Sequence, residues 1–159
     1  MSTEQTPNLR DEVRAAVEDR ATWFYLLLKE FNGGQEIKEV PEASRAIFRF
    51  GEMKGAKMPP AKTPGEWARN LISPVGQQVF EQKLIKAADD EAVIEFTYCP
   101  LVEAWRKLGA APQETAVLCK MARCGDHGRI SPFELELSFE KLLAEGDQCC
   151  RLVVRKKDS

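Results

Sequence analysis

Apolar positions recur at mostly three- and four-residue intervals over residues 6–31. Leu9, Val13, Val17, Phe24, Leu27, Leu28 and Phe31 keep the repeat, with a longer gap after Val17. That period predicts a helix. Thr6 is placed to cap it, Pro7 suits its first position, and Gly33-Gly34 stops it. A second helix opens at Pro41, carries Ala43, Ala46, Ile47 and Phe50 inward, and ends before "KMPPAK". A third, short helix follows in "TPGEWARNLI", where Thr63 and Glu66 have capping-box spacing and Pro64 takes the first position.

The pattern then switches from helical to alternating. "QVFEQKLIKA", "ADDE" and "AVIEFTYC" read as strand, turn and strand, a hairpin over about residues 78–98. "PLVEAWRKLG" predicts a helix from Pro100 to Gly109. "PQETAVLCKMARC" predicts another, beginning near Pro112 and ended by Gly125. A second hairpin closes the chain. Leu135, Leu137 and Phe139 share one face of its first strand, and Cys150, Leu152 and Val154 share one face of its second. The order is ααα-ββ-αα-ββ. It predicts the α+β class, with an antiparallel four-stranded sheet of two hairpins packed against about five helices. No repeat or long linker divides the 159 residues, so one domain is expected, helical over 6–72 and mixed over 78–157.

Composition narrows the function classes. At 43% hydrophobic and 30% charged, the chain has enough apolar residues for a core. A net charge of -2 is not that of a general nucleic-acid binder. The basic end, "RLVVRKK", reads as a solvated strand end. The start is polar and acidic, and the longest apolar run, "WFYLLL" at 23–28, is too short to span a bilayer. A cytoplasmic protein with no membrane partner is expected. Its five cysteines, odd in number and irregularly spaced, should stay reduced.

The cysteines carry the candidate chemistry. Cys99 ends a strand just before Pro100 opens a helix. Unpaired backbone N–H groups and the positive end of the helix dipole there favour a thiolate nucleophile, against the alternative of a small buried hydrophobe beside Tyr98. Cys124, Asp126 and His127 cluster at a helix end, where the only histidine of the chain has the makings of a base or lies in a solvated turn. Cys119, Cys124 and His127 give C-x4-C-x2-H. That spacing is looser than a structural zinc knuckle, so no metal or other cofactor is expected, with zinc or iron as the alternative. In "GDQCC", strand alternation sends Cys150 to the core and Cys149 to the side of Arg151. That side is either solvent or one wall of a cavity, and on it Arg151 would suit a substrate carboxylate.

The blocks "YCPLVEAWRKLG" at 98–109, "LCKMARCGD" at 118–126 and "FELELSFEKLLAEGDQCC" at 133–150 resemble the L-2-amino-thiazoline-4-carboxylic acid hydrolase family. The resemblance covers about residues 78–157, and the helical first half shares only the general layout. It implies hydrolysis of a non-peptide C–N or C–S bond in a small amidine- or thiazoline-like substrate. The family's namesake opens a sulfur-containing ring to N-carbamoyl-cysteine. The positions matching the family's cysteines and acid are Cys99, Cys124, Asp126, Cys149 and Cys150; His127 lies outside the motif. Together these readings set Cys99, Cys124, Asp126 and His127 as catalytic candidates, and Tyr98, Cys149 and Arg151 as substrate contacts. The alternative is a non-catalytic module that holds a small ligand or metal in a cysteine-lined cavity. The expected partner is a small molecule, with room for a homo-oligomer.

Overall fold

The structure is a computed structural model that describes residues 8–158. Among the described residues, seven α-helices and a four-stranded antiparallel sheet form the α+β class expected, in roughly the expected order. Helix α1 spans Leu9–Phe31 and α2 spans Pro41–Gly55. Asn8 caps α1, its side chain accepting from Arg10 N–H; Thr6 and Pro7, the expected cap and first residue, lie outside the described residues. Helix α3 spans Pro64–Leu71 and has the capping box read from Thr63 and Glu66.

Helix α4, Pro74–Val79, replaces the start of the expected first strand. Ser73 caps it by accepting from Gly76 N–H, and Pro74 sits at its first position. The hairpin is accordingly shorter, with β1 at Gln82–Ala87 and β2 at Glu91–Phe96. Helix α5 spans Pro100–Lys107, and α6 spans Pro112–Ala122. Gly125 does not end the helical segment. A further helix, α7, runs from Cys124 to Ile130. The chain closes with β3 at Leu135–Lys141, a 3-10 turn at Leu143–Glu145 and β4 at Cys150–Lys156.

Strand order is β1-β2-β4-β3, so the two hairpins join through β2 and β4. Register sets Phe96 opposite Cys150, Ile94 opposite Leu152, and Leu137 opposite Val154. The inner face of the sheet packs on Trp67 and Ala68 of α3 and Ile130 of α7. The outer face is a charged ladder, with Arg155 on Glu91 at 2.8 Å and Arg151 on Glu95 at 3.4 Å. One buried and one polar face is the usual antiparallel solution.

A second core joins α1, α5 and α6 through Ala21, Tyr25, Leu28, Trp105, Leu118 and Met121. Trp105 Nε1 donates to the Ala21 carbonyl at 3.0 Å, tying α5 to α1. Glu114 of α6 accepts from the Ile37 and Ala111 N–H groups and from Lys29 Nζ at 2.8 Å, which ties α6 to α1 and its following loop.

Two inward faces differ from expectation. On α1, Ala21, Tyr25 and Leu28 are buried, while Leu9, Leu27 and Phe31 are exposed. On α2, Ala46 and Phe50 are exposed. The reason on α2 is its neighbour. Gly51 and Gly55 turn toward α7, where a Cβ on Gly51 would lie 2.0 Å from the Gly125 carbonyl oxygen. The closest backbone approach, not the largest side chains, decides which face turns in. Among the described residues, no helix is long and apolar enough to cross a membrane.

Candidate functional site

Between the two cores lies a cavity of about 490 Å³, within the range typical of small-molecule sites. Helices α1 and α2 flank it, with Phe24 on one side and Ile47 and Phe50 on the other; the sheet contributes Phe96, Phe139 and Cys150. Trp105 and Leu142 complete a mostly apolar wall. The cavity exists because α1 packs on α5 while α2 packs on α7, which leaves the space between α1 and α2 unfilled. A second depression of about 530 Å³ lies outside α6, at Arg106, Pro112, Thr115 and Gly146. It carries none of the candidate residues and lies away from the thiols.

Cys99, Cys119, Cys150 and Asp126 all line the inner cavity. Of the sequence candidates, only Cys99 and Asp126 are among them. Cys99 is the N-cap of α5, and the Leu101 and Val102 N–H groups lie close enough to favour its thiolate, as its position at the helix start predicts. Burial outweighs them, however, and pushes the Cys99 thiol up to about 12. The expectation of a thiolate is thus reversed, because the apolar wall costs the anion more than two N–H groups return. Cys150 is pushed up to about 11 by burial, although Leu143 N–H donates to its sulfur at 3.3 Å. Burial also raises Cys119, against the Arg123 guanidinium that donates to its sulfur at 3.4 Å. All three are neutral thiols at neutral pH.

Asp126, in the first turn of α7, is the acid of this wall. Burial raises its carboxyl to about 6, against the lowering pull of Arg129 and Arg123. Protein surrounds Asp126 and Cys99 almost completely, yet each keeps intermediate exposed area. Both observations hold for a side chain that faces an internal void. Arg129 lines the same cavity and makes no salt bridge among the described residues.

The other candidates stand elsewhere. Cys124 Sγ lies 3.5 Å from the Lys120 carbonyl, outside the cavity. His127 packs edge-on against Phe139, with ring centroids 5.7 Å apart, and burial holds its pKa below the usual histidine value. Tyr98 lies under the Arg14 guanidinium, 3.7 Å from its ring centroid. Cys149 is on the outer face of the sheet, 3.9 Å from Glu95 Oε2, and Arg151 there is engaged by Glu95 and Glu140. The strand period therefore separates the two cysteines as expected, but the cavity lies on the side of Cys150. Cys119, Cys124 and His127 point in different directions, and among the described residues no three His, Cys, Asp or Glu side chains converge as metal ligands.

Sequence reasoning does not place Arg123 and Arg129 in the site, weighs Cys119 only as a metal ligand, and assigns Cys150, a family-matching position, to the core. The helical spacing of Cys119, Arg123 and Asp126 at four and three residues is the available signal, since it places them on neighbouring parts of one surface.

Among solved structures, a trafficking protein particle complex subunit 3 from Naegleria fowleri, crystallised covalently bound to palmitic acid, is similar in fold. It superposes with a TM-score of 0.56 at 14% identity, over 91% of this chain and 97% of that one. No curated protein matches the chain. The family model for L-2-amino-thiazoline-4-carboxylic acid hydrolase matches residues 14–154, and the chain belongs to that family.

Proposed function

We propose that this chain hydrolyses a non-peptide C–S or C–N bond of a small amidine- or thiazoline-like substrate in the inner cavity, with Asp126 as acid and base. The observation that carries this reading is a buried carboxyl, raised to about 6, facing an apolar cavity beside Arg129, which has no salt-bridge partner among the described residues. Near neutral pH such a group exchanges a proton readily in either direction. Applied to the family's namesake reaction, Asp126 takes a proton from water as its oxygen bonds to the amidine-like carbon. The C=N π pair moves to the ring nitrogen as that bond forms. The carbon–sulfur bond then breaks as the carbonyl closes, and Asp126 returns its proton to the departing sulfur. The remaining hydroxyl proton passes to the nitrogen. Atoms and charge balance with water as the sole co-substrate. Arg129 is the residue placed to hold a substrate carboxylate, in the role first read for Arg151. The neutral thiols of Cys99, Cys119 and Cys150 serve as polarizable wall, and none is the nucleophile.

A second reading rests on the lining itself. Five phenylalanines, Trp105 and three neutral thiols suit an apolar chain better than a polar ring. The structural neighbour was crystallised with palmitic acid. On this reading the cavity binds without turnover.

Incubation with L-2-amino-thiazoline-4-carboxylate, following thiol release, tests the first reading. Wild type is expected to turn over, Asp126→Asn to lose about 10²-fold or more in kcat, and Arg129→Gln to raise KM. Undiminished turnover by Asp126→Asn removes that residue from the reaction. Absence of turnover by wild type, with stoichiometric palmitate binding by calorimetry, establishes the second reading instead.

A further inference from the structure

Among the described residues, the outer sides of α1 and α2 carry apolar side chains that stay largely exposed. Trp23 is 74% exposed and Phe31 84%, and Leu27, Phe50 and Met53 are also exposed. At full areas of about 150–250 Å² for each aromatic, Trp23, Phe31 and Phe50 alone present roughly 400 Å² to water, and Leu27 and Met53 add to it. The largest single patch on a monomer is roughly 300–600 Å², and the side chains on the two helices together reach that scale. They also approach the roughly 800 Å² per partner of a stable complex.

The patch adjoins the cavity. At 100° per residue, Arg20 falls between the cavity-lining Val17 and Phe24 on one side and Trp23 and Leu27 on the other. On α2, Phe50 both lines the cavity and stands exposed, one turn from Met53. The two apolar sides thus flank the cavity mouth.

The charges on α1 are self-complementary. Arg20 and Glu30 are exposed, and neither has a salt-bridge partner among the described residues. A two-fold axis at the level of Tyr25 lays α1 antiparallel to its copy. It sets Trp23 against the partner's Leu27 and Arg20 against the partner's Glu30, and each pair occurs twice. A surface that matches itself in this way is what an isologous contact requires. Mixed charge along the stripe fits a second copy better than an anionic lipid surface, which selects a basic face.

We propose that this chain forms a two-fold homodimer through the outer faces of α1 and α2, closing the cavity mouth of each copy. Arg20, at that mouth, is drawn into an intersubunit ion pair and becomes part of the lid. The closing of the cavity rests on the reading of that cavity as the ligand site; the dimer does not.

Sedimentation equilibrium of the ligand-free protein at micromolar concentration tests the dimer alone. The expected mass is twice 17.9 kDa. Trp23→Glu should run as a monomer with an unchanged circular dichroism spectrum, since Trp23 points away from both cores. Arg20→Glu and Glu30→Arg should each weaken dimerisation by about tenfold or more, and the double exchange should restore it. A monomeric wild type overturns the proposal, as does a dimeric Trp23→Glu or a double exchange no tighter than the single variants. A monomer that floats with phosphatidylglycerol vesicles would assign the patch to a membrane and overturn it too. A dimer that hydrolyses nothing leaves this proposal standing and removes only the hydrolase reading.

Discussion

Burial overrules local position at Cys99. Residue by residue, the N–H groups at the start of α5 do favour the thiolate, but desolvation wins, and the thiol moves up instead of down. Asp126 follows the same rule with a different consequence, because a carboxyl raised to about 6 falls near neutrality. The linkage has a definite sign. Well below the ordinary aspartate value of 3.8 the carboxyl is protonated in both folded and unfolded forms, and its ionisation costs no stability. Between pH 4 and 6 the unfolded chain ionises first, so stability is lost as pH rises through the folded value. The loss at pH 7 is about 2 kcal/mol, allowing for the part of the side chain that faces the cavity. Asp126→Asn is therefore expected to match wild type in urea titrations at pH 4 and to exceed it by that amount at pH 7.5. A difference independent of pH would show that Asp126 is not held in this environment. The doublet Cys149-Cys150 shows the complementary point: strand period separates the two, yet the cavity lies on the side of Cys150 and not on that of Arg151.

Element pairing in this fold depends on glycines inside helices. "GEMKG" and "CGDHG" contain residues that commonly end helices, and Gly125 was read as a stop. In the structure they form the contact between α2 and α7. A Cβ on Gly128 would lie 2.0 Å from the Phe48 carbonyl oxygen, and one on Gly55 2.2 Å from that of Arg129. Because these obstacles are backbone, they cannot swing aside. Gly128→Ala should cost about 3 kcal/mol despite the better helix propensity of alanine, measured by denaturant unfolding. A neutral or stabilising result would mean that the helices do not approach so closely. The same contact holds Asp126 and Arg129 at the cavity, so the variant should also weaken ligand binding. Helix α4 went unread for a different reason. Ser73-Pro74 is a helix start, but the β-like "QVFEQKLIKA" that follows masked it.

Across the whole molecule, two cores meet without filling the space between them, and the wall of that space holds three thiols. Their neutrality and depth predict slow chemistry. In the folded protein Cys99, Cys119 and Cys150 should react with iodoacetamide at pH 8 at least about 10²-fold more slowly than in urea. A ligand in the cavity should slow them further and raise stability by about 2.7 kcal/mol at a hundredfold excess over Kd. Mass spectrometry of each peptide after timed alkylation reads this directly. Rapid labelling of Cys99 in the native state would contradict the burial of its thiol.

The sequence by itself determined the α+β class, both hairpins, the inner face of β3 and β4, and the starts of α2, α3, α5 and α6. These depend on local period and on caps within a few residues, which a linear reading contains. Only the tertiary structure decided that α2 turns its glycines inward and Phe50 outward, that Cys119 and Cys150 line one cavity with Asp126, and that Arg151 is engaged by Glu95 and Glu140. Those outcomes are set by which backbones approach most closely and by desolvation, a sum over many distant atoms that no short stretch of the chain encodes.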